Sequence, residues 1–324
     1  MPKILVTGGA GYIGSITSHH LLARGFDVIV IDDLSRGHRE NVAPERLHVL
    51  RLQDTDGVAA LLRGVDAVVH FAAHSAVGES MREPELYFSN NVGGTASLLE
   101  AMARSGVRRL VFSSTAAVYG NPEKLPIPED ARMAPVNPYG ESKAIVEHIL
   151  RELDRYRGLR SVPLRYFNAC GAQPEAGLGE AHHPETHLIP LLFEAVATGE
   201  PIQIFGDDYA TPDGTCIRDY IHVSDLAAAH VAALDHLLAG GGSAAFNVGT
   251  GAGLTVMEVL RAVEKVTGKT VPHKIAPRRA GDPAELVADS TKLRTTLGWQ
   301  PRHSGIDEIV RDAWAYYQLR HVPA

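Results

Sequence analysis

The stretch TGGAGYIG, residues 7–14, constrains this chain most. It ends a short apolar run, ILVTGG (4–9), and opens a helical pattern from Gly11 to Ala23. Gly8, Gly11 and Gly14 permit a tight turn, and Gly9, Gly11 and Gly14 also fit GxGxxG. Such a strand–turn–helix brings backbone N–H groups close to a diphosphate at the helix N-terminus. Asp32 closes the next apolar run about 20 residues on, where a carboxylate binds the ribose 2′-OH of NAD. A 2′-phosphate would be repelled there, so NAD is favoured, while the nearby Arg36 keeps NADP open. A strand-end aspartate is also a common turn residue. Asp54, after the third run, has two readings, an adenine contact or a plain loop residue.

The pattern continues through DVIVIDD (27–33), LHVL (47–50), DAVVHFAA (66–73), RRLVFSS (108–114) and SVPLRYF (161–167). Helical segments lie between these runs, including 85–104 and 139–155. Strands apolar throughout and separated by helices imply a parallel sheet covered on both faces. The expected class is α/β, a doubly wound parallel sheet of Rossmann type, with a second, smaller α/β substrate domain. Residues 171–187, rich in Gly, Pro and His, read as loop. A helix is expected near 188–198, strands near 201–205 and 218–223, a helix over 224–238 capped by Ser224, and another over 255–268. The division expected is an NAD-binding domain over 1–170, with returning segments near 206–250, and a substrate domain over 171–324.

A chain of 324 residues with 45% hydrophobic and 21% charged residues is ordinary for a soluble protein. A net charge of -7 and the lack of long basic runs argue against nucleic acid or anionic membrane as partner. Two cysteines, Cys170 and Cys216, make no disulfide framework. No apolar run approaches the roughly 20 residues of a membrane span. MPKILVTGG enters a strand directly, with no signal-peptide pattern, so the expected location is cytoplasmic.

VNPYGESKAIVEH (136–148) sets Tyr139 four residues before Lys143. On a helix the two share a face. A phenol with a pKa of about 10 is a poor base at neutral pH. A neighbouring ammonium, and the positive charge of an oxidised nicotinamide, would stabilise the phenolate and make it a general base. FSST (112–115) ends the fifth strand, where a doubly wound sheet binds its ligands. Thr115 there can hydrogen-bond a substrate hydroxyl or merely cap a turn.

With these parts in view, the chain resembles the extended short-chain dehydrogenase/reductase family, and within it the UDP-glucose (UDP-galactose) 4-epimerase branch. TGGAGYIG, Asp32 and the Tyr139/Lys143 pair belong to the broad family. The narrower matches include HFAAHSAVGES (70–80), NNVGGT (90–95), SSTAAVYG (113–120), NPYGESK (137–143), LRYFNACGA (164–172), IFGDDYATPDGTCIRDYIHVSDLA (204–227) and APRRAGDPAELVADS (276–290). The resemblance implies that Gly8, Gly11, Tyr12, Ile13, Gly14, Asp32, Asp54, Phe71, Ala72, Asn90, Lys143 and Tyr166 contact NAD. It implies Thr115, Tyr139 and Lys143 as catalytic residues. It implies Asn168, His187, Leu188, Gln203, Phe205, Arg218, Tyr220, Arg279 and Asp282 around a UDP-sugar, with the arginines suited to a diphosphate. A homodimer is implied too. The activity implied is 4-epimerisation through a transient 4-keto sugar, with NAD regenerated each cycle.

Four positions depart from patterns in the family. Ser75 stands where some members have lysine, Thr115 where serine is common, and His187 where others have asparagine. Leu286 replaces a large aromatic and leaves room for an N-acetylated sugar. The HHPETH loop lacks a supporting set of ligands, and the chemistry needs no metal. A 4,6-dehydratase wants an acidic pair after the hydroxyl residue, and here Ala116 and Ala117 follow Thr115. Two other readings stay open, a 4-epimerase of another UDP-sugar (N-acetylhexosamine, glucuronate or pentose) and a non-catalytic dinucleotide sensor.

Overall fold

The structure, a computed structural model, describes residues 1–279, 283–303 and 305–321. Its main sheet has seven parallel strands, β1 (Lys3–Thr7), β2 (Asp27–Asp32), β3 (Leu47–Val49), β4 (Ala67–His70), β5 (Arg109–Thr115), β6 (Arg160–Tyr166) and a later β12 (Phe246–Val248). Their order is β12-β6-β5-β4-β1-β2-β3. The order reverses beside β1, which opens a crevice at the C-terminal strand ends between β1 and β4. Burial on both faces explains why these strands read as apolar runs rather than alternating ones.

One face packs α1 (Tyr12–Ala23) and, from late in the chain, α8 (Val223–Leu238), through Leu21, Leu226, Leu234 and Leu237. The other packs α2 (Thr55–Leu61), α5 (Gly94–Ser105) and α6 (Pro138–Arg157), through Val58, Leu98, Met102, Val146 and Leu150. The helix expected over 85–104 is not uniform. After α3 (Val77–Arg82) and α4 (Pro84–Tyr87) the chain makes a π-helical segment, Phe88–Gly93, before α5. That wider turn holds Asn91 inward, bonded to His74 and to Ser142 of α6. Such π turns gather at functional sites.

The remaining chain builds a smaller layer. β7 (Asn168–Cys170) runs beside β11 (Ile217–His222), which also pairs β13 (Gly253–Thr255) and β15 (Glu285–Leu286). A short ribbon joins β8 (Ala172–Gln173) to β9 (Leu178–Gly179), and β10 (Ile202–Phe205) pairs β14 (His273–Ala276). Helices α7 (Leu188–Thr198), α9 (Val256–Thr267) and α11 (Ile306–His321) close a second core around Leu192, Phe193, Val259, Val263 and Ile309. A last short helix, α10 (Thr291–Leu297), sends Leu293 into the core under α8. α9 starts with a capping box between Thr255 and Glu258 and stops at Gly268 in the left-handed region. α8 begins one residue earlier than expected. Its N-cap is His222, whose ring accepts the Ser224 N–H, and not Ser224 itself. Imidazole mimics the usual oxygen acceptor there, which the preference for Ser and Asp as caps does not anticipate.

Leu150 on α6 is fully buried under the sheet. Leu150→Ala is expected to cost roughly 2–5 kcal/mol, the range for a buried leucine truncation. Denaturant unfolding of variant and parent measures it.

Candidate active site

The glycine turn is closed so tightly that side chains cannot enter it. A Cβ on Gly14 would lie 2.2 Å from the Gly8 carbonyl oxygen, and one on Gly8, with φ of 70°, 2.5 Å from the Ala72 nitrogen. Around Gly11 nothing lies nearer than 3.4 Å, so the N-terminus of α1 stays open to a ligand. Asp32, at the end of β2, is buried, and its two oxygens accept N–H groups of Ala10 (2.9 Å) and Leu34 (2.8 Å). Burial pushes its carboxyl up, and those two bonds pull it back. Each oxygen retains a lone pair for a ribose hydroxyl. The turn, the free helix end and this carboxylate fit a dinucleotide.

Other expected cofactor residues flank the same crevice. Phe71 and Ala72 follow β4, and Phe71 N donates to the Thr7 carbonyl (2.9 Å). The Phe71 ring stands 4.6 Å from His230 of α8, and His230 lies 6.1 Å from Tyr166. Tyr12 and Ile13 open α1, with the Tyr12 hydroxyl donating to the Gly171 carbonyl (2.7 Å). Asn90 sits half-buried in the π turn beside Asn91. Asp54 is exposed and caps α2 through the Gly57 N–H (3.0 Å).

Tyr139 and Lys143 rise on the first turns of α6, after a Pro138 at the first helical position and an Asn137 cap. Both side chains are buried, at 8% and 3% exposure. Lys143 Nζ donates to the Ser113 carbonyl (2.8 Å) and sits 4.9 Å over the Phe112 ring. Thr115 hydrogen-bonds the Tyr139 phenol and accepts the Ala117 N–H (3.1 Å). Tyr166, the register partner of Thr115 on β6, meets Ser113 Oγ at 2.5 Å. Thus β5, β6 and α6 place Thr115, Tyr139, Lys143 and Tyr166 together at one end of the sheet.

The electrostatics of this group correct a simple expectation. Burial raises Tyr139 to about 12, with the Thr115 bond opposing, and lowers Lys143 to about 7, with Glu147 opposing. The ammonium does not reach far enough to offset desolvation, since Nζ is 6.0 Å from the phenol ring centre. The bare pocket therefore favours neutral tyrosine. A phenol acting as a base there would need a further positive charge, of the kind an oxidised nicotinamide carries.

Sequence reasoning missed a second row behind these residues. Glu147, one turn beyond Lys143, accepts from Ser114 Oγ (2.5 Å) and from Arg165 through Nε (3.0 Å) and Nη2 (2.6 Å). His70 bridges Thr7 Oγ1 (2.6 Å) and Thr95 Oγ1 (2.9 Å), and burial followed by the Lys143 charge keeps it neutral. The i, i+4 spacing of Lys143 and Glu147 was the visible signal.

The expected sugar-side residues lie on the smaller layer. Asn168 and Tyr220 are register partners, and Arg218 pairs with Leu286. Gln203 and Phe205 share a face of β10, and Arg279 Cζ stacks 4.0 Å over Phe205. Leu188 packs on the core that contains Tyr220 and Ile204. Asp282 lies outside the described residues. The loop before α7 also differs from its reading. Glu180, His182, Glu185 and His187 bring donor atoms within 4.8 Å of one another. They are held together as ion pairs, Glu180 meeting His187 at 2.7 Å and His182 at 3.0 Å.

Residues 4–249 match the family described as NAD dependent epimerase/dehydratase. The chain belongs to that family of dinucleotide-binding enzymes. It is 49% identical over 319 residues to a UDP-glucose 4-epimerase of Lacticaseibacillus casei, covering 97% of this chain and 96% of that one. The UDP-glucose 4-epimerase of Brucella ovis, solved in complex with NAD, superposes with a TM-score of 0.94 at 45% identity and covers 98% of both chains. That of Bifidobacterium longum, solved with NAD+ and UDP, gives 0.90 at 38% identity, again covering 98% of both.

Gly14→Ala is expected to break the turn, because the methyl meets backbone that cannot swing aside. Purified variant should carry little or no NAD, read from absorbance after acid release, while the parent retains it.

Proposed function

We propose that this chain is an NAD-dependent 4-epimerase interconverting UDP-glucose and UDP-galactose, with Tyr139 as general base. The observation that carries the reading is the buried group Thr115, Tyr139 and Lys143, set at the strand ends beside an open glycine turn. NAD held there would supply a reversible hydride acceptor for C4, so that the 4-keto sugar is only transient. The chain's own residues do the rest. Tyr139 takes the proton of the 4-hydroxyl and gives it back. Thr115 shares that hydrogen bond, and Lys143, pinned to the Ser113 carbonyl, stands one helical turn on, where it can meet the cofactor. Gly8, Gly11, Tyr12, Ile13, Gly14, Asp32, Asp54, Phe71, Ala72, Asn90, Lys143 and Tyr166 are assigned to NAD. Asn168, His187, Leu188, Gln203, Phe205, Arg218, Tyr220, Arg279 and Asp282 are assigned to the UDP-sugar, which must stay anchored while the sugar turns over. The smaller domain, 171–324, holds that anchor, and residues 1–170 with the segments near 206–250 hold NAD. Support for UDP as the handle comes from the Bifidobacterium longum enzyme, whose structure contains it.

A homodimer is part of the reading. Val77, Met81, Leu86 and Phe88 are exposed apolar side chains along α3, α4 and the π turn, and a second copy covering them would remove them from water. Among the described residues no helix is long and apolar enough to cross a membrane, and we place the enzyme in the cytoplasm.

The test is turnover of UDP-galactose by the purified protein without added NAD, followed by proton NMR of the anomeric signal. Conversion to UDP-glucose is expected. Tyr139→Phe should keep its NAD and lose about 10²–10⁴-fold in rate, the worth of a positioned general base. Near-normal turnover in that variant, or bound NAD with no conversion of any UDP-sugar, would overturn the proposal.

Leu286 packs beside Phe167, Tyr119 and Val118, next to the strand of Arg218. Its modest size leaves room by the sugar. The parent should therefore also convert UDP-N-acetylgalactosamine, and Leu286→Tyr should abolish that activity while retaining UDP-galactose turnover.

A further inference from the structure

The loop before α7 contains an arrangement that the reaction does not explain. Glu180 and Glu185 have side chains only 8% and 6% exposed. Both carboxylates converge on one atom, His187 Nδ1, at 2.7 and 3.3 Å. Glu180 also meets His182 Nδ1 at 3.0 Å, and the His182 and His187 rings lie 5.2 Å apart. Two carboxylates withdrawn from water repel each other unless a positive charge sits between them. A proton or a metal ion could supply it, and the distances decide. Two ligands of one tetrahedral ion with bonds near 2.1 Å stand about 3.4 Å apart. A separation of 2.7 Å is that of a charge-assisted hydrogen bond.

His187 is committed at Nδ1, while its Nε2 makes no hydrogen bond among the described residues and the side chain is 45% exposed. It is the N-cap residue of the eleven-residue α7, whose first N–H groups have no side-chain cap. The positive end of that helix therefore adds to the ring's charge. The next residue, Leu188, packs on the core of Tyr220, the register partner of Asn168. On its other side His182 meets the Tyr12 ring of the glycine turn edge-on at 6.5 Å. The cation thus lies between the core of the smaller layer and the glycine turn.

We propose that Glu180 and Glu185 are positioning residues that lock His187 as an imidazolium, giving the enzyme a permanent cationic donor at Nε2 for the diphosphate of a bound nucleotide. The UDP-sugar is the source favoured by the packing of Leu188, and this part rests on the function proposed above. The charge balance agrees. The Glu180 carboxylate lifts His187 to about 10. Burial opposes the charge on Glu180, and the pull of His187 and His182 overcomes it and takes the carboxyl down to about 2. The titratable groups facing His187 are Glu180, Glu185 and His182 from its own loop, with Tyr12 of α1 beyond His182 and Cys170 of β7 within electrostatic reach of Glu180. A raised value means that the charge persists as pH climbs past neutrality. Without the carboxylates it is lost near the ordinary value of about 6.5.

The experiment measures UDP-glucose affinity by calorimetry from pH 6 to 9, on the NAD-containing protein in a Tyr139→Phe background that prevents turnover. NAD retained per chain is read in the same samples. The parent should bind with the same affinity across the range. Adding Glu180→Gln and Glu185→Gln should leave affinity intact at pH 6 and weaken it about tenfold by pH 9, as an ordinary imidazole discharges. His187→Asn, which needs no change in the carboxylates to fold, should weaken binding equally at both pH values. A pH-dependent loss of NAD in place of UDP-glucose assigns the donor to the dinucleotide's diphosphate. Flat affinity and full NAD in the double glutamine variant overturn the proposal, as does stoichiometric divalent metal in the parent that those substitutions remove. If UDP-glucose fails to bind the parent at any pH, the substrate reading falls and the NAD measurement alone decides the clamp.

Discussion

The buried pair of Glu147 and Arg165 fixes where the group around Tyr139 can be. Arg165 belongs to β6 and Glu147 to α6, and the carboxylate also accepts from Ser114 of β5. Both side chains are almost wholly out of water, at 6% and 2% exposure, so neither charge tolerates the loss of the other. Breaking such a pair by removing one partner typically costs about 3–5 kcal/mol. The pair acts as a pin through helix and sheet. It holds α6 at one axial position, and Lys143 and Tyr139 lie one and two turns up from it. Arg165 extends the pin through the Tyr119 hydroxyl (2.8 Å), which donates to Asn247 of β12 (2.7 Å). A strand contributed late in the chain is thereby tied to the helix that carries the phenol.

That pin also acts electrostatically. Desolvation drives Lys143 toward neutrality and Tyr139 toward the protonated phenol. Glu147 opposes the first shift, because its carboxylate favours the charged lysine. A positive charge at the crevice, such as that of an oxidised nicotinamide, would oppose the second.

Much of this was legible in the sequence, and the reason is periodicity. Parallel buried strands are uninterrupted apolar runs, and glycines at fixed offsets mark a turn with no room for Cβ atoms, as Gly14 shows. Tyr139 and Lys143 announced themselves because four residues on a helix is one face. What stayed hidden depends partly on contacts far apart in the chain and partly on the local geometry of loops. The Asn91 amide is fixed by His74 and by Ser142, 51 positions away. Arg165 finds Glu147 across a strand–helix boundary, and nothing in LRYFN alone announces it. Asp54 read equally as ligand or loop, and its use as the cap of α2 needed the Gly57 N–H to be located. HHPETH looked empty because a loop has no period, so the approach of Glu180 leaves no trace in spacing.

The same loop bridges the two layers. Besides their own ribbon and ion pairs, residues 171–187 are tied to the main-sheet half by side chains. Arg36 donates to the His183 carbonyl (3.2 Å), His38 meets the Ala181 carbonyl (2.7 Å), and Gln173 meets His20 (2.7 Å). Gly171 accepts from Tyr12, whose own phenol is kept protonated by burial and by the Glu180 charge. The wall that closes over the glycine turn is therefore the one that ends at His187 and α7. The glycine turn and the start of α7 are thereby coupled through short polar contacts to loop backbone.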